Sequence, residues 1–279
     1  MALAAVVSVL AVVLGGRRIV LVPLVAAVGL LVASNAIGHG RFGVSPYGSV
    51  FALARLVTDG PAQAVLAREC PASGWRMCDW QGRFPADSDL FLWDGKGPVW
   101  SDPAGPQGGG AQGLAAEASA IVWATILGEP LWVLRTALGN AGEQLLRVRL
   151  GDALGDDWLE SSITGSFRAY FPAAEMARFR GGLQMAGRLS AVAAPFNPFH
   201  AVLLVLGAGA CVVLAWRRKV LATLLLAAVL ANAAASGVLS RPHDRYQARI
   251  AWLVLLPPLV MLPAVRPGPA LRRMRSSGR

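Results

Sequence analysis

The chain has 279 residues, of which 55% are hydrophobic and only 15% charged, with a formal net charge of +10 and a mean hydropathy of +0.51. That balance excludes an ordinary water-soluble domain, because the apolar residues are gathered into long uncharged runs rather than spread at core-face spacing. The positive excess invites a nucleic-acid reading, but the tail Arg266–Arg279 lacks the aromatic interleaving that such a reading needs.

Two apolar runs come first, Ala2–Gly16 and Ile19–Gly38, and neither contains Asp, Glu, Lys or Arg. The second has 20 residues, enough at helical rise to cross a hydrocarbon core of about 30 Å. The first is shorter, and a secretory signal peptide is the competing account of it. A signal peptide needs positive charge ahead of its apolar stretch, whereas Arg17 and Arg18 follow it.

Residues 39–198 are too long for a simple connector and read as a mainly helical domain. Ser45-Pro46 offers an N-cap and a proline at the first helical position, followed by Val50, Phe51, Ala54, Leu56 and Val57. Asp59-Gly60-Pro61 starts a second short helix that runs to about Arg68. A loop with Trp75, Trp80, Phe84, Phe91, Trp93 and Trp100 among Asp79, Asp87, Asp89, Asp94 and Asp102 comes next, and offers itself as a partner surface. Ser101–Gly113, dominated by Gly, Pro and Gln, reads as an exposed loop.

Helical periodicity returns at Leu114. Pro130 separates a helix over Leu114–Leu127 from one whose Leu131, Leu134, Leu138, Ala141, Leu145 and Val148 form a narrow apolar stripe. The stripe packs on the domain or the membrane helices; an interfacial helix on the outer leaflet is the alternative. A sixth span over Ala120–Leu138 would place Glu129 and Arg135 at depth, at about 2.5–3.5 kcal/mol per charge, and is rejected. A last helix is expected from Pro172 to about Val192. Three further apolar runs, Phe199–Trp216, Val220–Leu239 and Ile250–Val265, then precede a basic tail.

The expected fold class is therefore membrane all-α, with about five transmembrane helices and a mainly helical extracytoplasmic domain. Residues 1–38 hold two spans, 39–198 the domain, 199–265 three spans and 266–279 the tail. With five spans, one membrane face carries Arg17, Arg18, Arg217, Arg218, Lys219 and the tail arginines: ten basic residues and no acidic one. The other face holds 16 basic and 16 acidic residues. The positive-inside rule makes the uncompensated face cytoplasmic and the domain periplasmic, in a bacterial inner membrane. Cys70 and Cys78 then lie where a disulfide can form, two free thiols being the alternative; no His stands at zinc-ligand spacing.

Chemistry is best sought in the outer connection from Ser240 to Arg249. Arg241, His243, Arg245 and Arg249, with Tyr246, could cradle a phosphate, since each guanidinium is a planar fork of donors. The competing reading is a salt-bridged cap on a helical hairpin. His39 and Arg41, at the outer end of the second span, could join the cluster. Asp87 and Asp89 could serve as acid, base or metal ligands, though solvated carboxylates are the commoner outcome. His200 reads as an interfacial anchor, and Asn35 and Asn232 as interhelical donors. Gly108-Gly109-Gly110 lacks P-loop spacing, and no nucleophile elbow or HExxH motif is present. No cofactor or metal is expected; the expected partners are membrane lipids and an envelope protein, not nucleic acid.

Arg245-Tyr246-Gln247-Ala248-Arg249, with the following run through Pro257-Pro258, resembles the late membrane hairpin of polyprenyl-phosphate-sugar-dependent (GT-C type) glycosyltransferases. Glu129-Pro130-Leu131-Trp132-Val133-Leu134-Arg135 is similar to a helix in their outer regions. The resemblance implies a polyprenyl-phosphate-linked sugar as ligand, with Arg245 and Tyr246 at the lipid phosphate. Those enzymes carry a catalytic Asp or Glu in the first outer loop, whereas no acidic residue precedes Asp59 here. The likeness is thus to a carboxy-terminal part, and no catalytic residue is carried over. A non-enzymatic envelope scaffold with a partner-binding domain is the alternative function.

Overall fold

A computed structural model of the protein describes residues 2–15, 17–101, 110–155, 159–160 and 163–261. Among them every regular element is helical and no strand occurs. Three helical stretches are long and apolar enough to cross a membrane: Arg18–His39, Leu189–Trp216 and Val220–Leu239. The number rises to five if each of two bent helix pairs counts as one span.

The helices are α1 (Ala2–Val13), α2 (Val22–His39), α3 (Gly48–Thr58), α4 (Pro61–Glu69), α5 (Ser88–Trp93), α6 (Ala111–Gly128) and α7 (Pro130–Leu146). They continue as α8 (Thr164–Tyr170), α9 (Ala173–Arg180), α10 (Leu189–Ala193), α11 (Asn197–Trp216), α12 (Val220–Leu239), α13 (Asp244–Ala251) and α14 (Leu256–Met261). The bent pairs are α3 with α4, at 93°, and α6 with α7, at 101°.

Among the described residues, neither the first nor the last expected run supplies one unbroken helix of spanning length. Helix α1 has 12 residues, about 18 Å at helical rise, and packs along α12. In the last run the chain passes through a 3₁₀ turn at Trp252–Leu255 before α14. Pro257 and Pro258 supply no backbone N–H to the preceding turn, which accounts for the break. Residues 262–279, the tail included, lie outside the described residues.

Two helical hairpins build a lobe. Val50, Leu53, Ala54 and Val57 fall on one face of α3 and are fully buried against Ala62 and Leu66 of α4, Phe91 of α5, and Leu114, Ala118 and Ile121 of α6. Trp75, Trp80 and Phe84 pack on this core, and the Cys70–Cys78 disulfide closes the loop that carries Trp75. The aromatic loop is thus spent largely on the core rather than displayed; Leu90, Trp93 and Trp100 remain at its surface. Gly60 stands at φ 103°, and a Cβ there would lie 2.9 Å from the Trp132 ring, so the α3–α4 bend needs glycine on both counts.

Several boundaries differ from expectation. Helix α3 starts at Gly48 after a turn at Pro46-Tyr47, and Ser45 does not cap it. The helix expected from Pro172 to Val192 is broken after Arg180 by Gly181-Gly182, and Gly187 adopts φ 67°. The third run begins earlier than Phe199, because α10, a 3₁₀ turn and α11 join into one stretch of 28 residues.

Helix α7 couples the lobe to the spans through the second half of its expected stripe and the residues beside it. A Cβ on Gly237 of α12 would sit 2.5 Å from the Asn140 carbonyl oxygen and 3.0 Å from Ala141 Cα, so the two backbones touch. Leu145 and Val148 pack on the cluster of Leu204, Val229, Ala251 and Val254. Leu131, Leu134 and Leu138, the other half of the stripe, are exposed. The small residues Gly237 and Ala141 allow this close backbone approach.

Candidate functional site

The connection from Ser240 to Arg249 folds back on α12. Asn232 donates from Nδ2 to the Tyr246 carbonyl at 3.0 Å and to Gln247 Oε1 at 2.9 Å, while Gln247 Nε2 donates to the Val229 carbonyl at 3.2 Å. From the other side Gln144 Nε2 donates to the His243 carbonyl at 2.8 Å and its Oε1 accepts from the His243 N–H at 2.9 Å. Gln144 and Gln247 are completely buried. Each side chain thereby supplies polar groups that the turning backbone would otherwise leave unpaired.

The side chains of this turn meet the lobe. Arg241 pairs with Asp87, the N-cap residue of α5, whose other role is to accept the Asp89 N–H at 2.7 Å. His243 Nε2 lies 3.2 Å from Asp89 Oδ2, and its Nδ1 lies 3.6 Å from Asp152 Oδ2. Asp152 also accepts the Arg245 N–H at 3.0 Å. Asp244 accepts the Arg149 N–H at 2.8 Å and lies 4.0 Å from the Arg147 guanidinium, which is itself tied to Glu143. Asp87 and Asp89 are therefore partners of the turn, not the solvated carboxylates expected.

Arg245 stands apart. Its guanidinium sits over the Tyr246 ring, 5.0 Å from the centroid, and its Nη2 lies 3.4 Å from the Tyr246 hydroxyl. That hydroxyl also accepts from Ser240 Oγ at 3.4 Å, and the His243 ring meets the Tyr246 ring edge-on at 5.5 Å. Among the described residues no carboxylate lies within ion-pair distance of the Arg245 or Arg249 guanidinium. A half-buried arginine held on an aromatic face, with its fork of donors claimed by no carboxylate among the described residues, is chemically suited to an anionic oxygen group.

His39 and Arg41 form a separate place. His39 meets Tyr47 edge-on at 5.4 Å, and the Arg41 guanidinium lies 5.7 Å from the centre of the same ring and 3.5 Å from the Pro46 carbonyl. Arg41 also lines a shallow cleft of about 520 Å³ with Ser45, Gly48, Ser49 and Ser119. Neither residue joins the 240–249 turn. Among the described residues no group of three or more His, Cys, Asp or Glu side chains is arranged to hold a metal ion.

Sequence reasoning had no signal for Gln144 or Asp152 as members of the site, which meet the turn across 99 and 93 residues. Asn232 was legible as an interhelical donor, though not its target. No family model, curated protein or solved structure matches the chain.

Proposed function

We propose that this protein is a polytopic protein of the bacterial inner membrane, with residues 39–198 on the periplasmic side. In this reading the 240–249 turn binds the phosphate of a lipid-linked group, a polyprenyl-phosphate-linked sugar in line with the GT-C resemblance. The observation that carries the reading is the Arg245 guanidinium, fixed on Tyr246 yet free of any carboxylate among the described residues. Buried Gln144 and Gln247 pre-set the backbone that presents it, which lowers the ordering cost of binding. Arg241 and His243, tied to Asp87, Asp89 and Asp152, hold the lobe to the turn and leave the ligand to Arg245, with Arg249 beside it.

The test is binding of a polyprenyl phosphate to the protein in nanodiscs, read by native mass spectrometry. Arg245→Ala loses roughly ten- to a hundredfold in affinity, the worth of a charge-assisted contact, while Arg241→Ala retains most of it. Equal affinity in Arg245→Ala and the parent would remove the proposal. The carboxylate contacts that take up Arg241 and His243 favour a second reading, a non-enzymatic envelope scaffold in which the turn serves only to fix the lobe.

A further inference from the structure

Residues 163–188 leave the lobe and lead directly into the span Leu189–Trp216. Among the described residues this arm buries only Thr164, whose hydroxyl is taken by Leu159 and Glu160 next to it. It is nevertheless rich in groups that ought to be covered. Phe167 stacks on Phe171 at 4.2 Å and on Phe179 at 4.6 Å, a local aromatic pile within the arm. Tyr170 is 83% exposed, Phe171 51% and Leu183 51%. The first turns of the span continue the same surface with Val192, Phe196 and Phe199.

The net charge of the arm is positive. Arg178 pairs with Glu175, the arm's single acidic residue, at 2.7 Å, while the Arg168, Arg180 and Arg188 guanidinium groups have no ion-pair partner among the described residues. Polar links to the neighbouring chain are few. Gln184 Nε2 donates to the Ala153 and Gly155 carbonyls at 3.1 and 3.2 Å, and Asn197, at the start of α11, exchanges bonds with the Leu150 backbone at 2.6 and 3.2 Å.

We infer that the arm is a membrane-surface element that docks on anionic lipid. The span that begins at Leu189 holds the arm beside the bilayer by covalent continuity. Exposed aromatic rings belong at the boundary between headgroups and acyl chains, where a flat apolar body is covered and a polar edge stays wet. Unpaired arginines on the same segment meet lipid phosphates, with their aliphatic stems along the apolar surface. The surface is distinct from the 240–249 turn, so it stands whether or not Arg245 binds a lipid-linked sugar.

The experiment uses the full chain with Cys211→Ala, the Cys70–Cys78 disulfide kept, and a nitroxide at Phe171→Cys or Leu183→Cys, reconstituted in nanodiscs. Collision of the label with oxygen against a water-soluble nickel chelate is measured in phosphatidylcholine alone and with added phosphatidylglycerol. Oxygen-favoured labels in the anionic discs, with Arg168→Gln, Arg180→Gln and Arg188→Gln each lowering the docked equilibrium by roughly fivefold, support the inference. Nickel-favoured labels in both lipids place the arm in water and overturn it. Labels shielded from both agents show that protein, a second copy included, covers the arm, which also overturns it. Docking that ignores the lipid charge and all three substitutions overturns the anionic recognition.

Discussion

The lobe and the arm hold similar aromatic side chains and treat them in opposite ways. In the lobe, Phe91 is fully buried, stacked 6.4 Å from Phe84 and enclosed by α3, α4 and α6. In the arm, Phe171 is stacked on Phe167 but half exposed. The difference is one of closure. Two hairpins bent near right angles fold over each other and shut out solvent, whereas α8 and α9 are short, are followed by the break at Gly181-Gly182, and among the described residues pack mainly on each other. An apolar surface without a protein lid makes physical sense beside a bilayer.

That contrast can be broken most sharply by truncation. Phe91→Ala removes a closed aromatic and destabilises the lobe by about 3–5 kcal/mol, whereas Phe171→Ala stays within about 0.5 kcal/mol in detergent. Thermal unfolding followed by protease cleavage in the lobe checks both. Equal losses would mean that the arm is covered by protein after all. A smaller effect sharpens the comparison at the joint. Gly237→Ala drives a methyl into the Asn140 carbonyl, a backbone atom with little room to move, and costs about 1–3 kcal/mol. Its expected signature is faster hydrogen exchange in α7 with the lobe core unchanged; unchanged exchange in α7 would deny the contact.

How much of this was legible depends on the range of the interaction. Ile19–Gly38 and Val220–Leu239 announce themselves because a helix apolar on every side has only one suitable solvent. Pro61 and Pro130 mark helix starts because the absent N–H costs nothing there. Ser45-Pro46 carried the same local signal and misled, since the chain first turns at Pro46-Tyr47 and Tyr47 is engaged with His39 and Arg41. The stripe on α7 marked the covered face over its second half only: Ala141, Leu145 and Val148 lie at the contact, with Asn140 and Gln144 beside them, while the leucines at 131, 134 and 138 are exposed.

The site shows the same limit. Arg245 and Tyr246 were readable as neighbours in sequence, and their ring contact follows from that adjacency. Asp87 with Arg241 and Asp89 with His243 lie 154 residues apart in each case, and no local pattern encodes such a pairing. Those contacts decide which basic side chains remain for a ligand. The number of arginines in the turn was visible in the sequence; the number left unclaimed was not.

The account depends on which side of the membrane the lobe and the turn occupy, and impermeant thiol labelling tests that most directly. With Cys211→Ala as background, Lys96→Cys on the exposed rim of the lobe reacts with a membrane-impermeant maleimide in intact spheroplasts. Arg218→Cys, between α11 and α12, reacts only after permeabilisation. The reverse pattern, with position 96 shielded and position 218 open, would contradict the proposed sidedness and with it the periplasmic role of the Arg245 site.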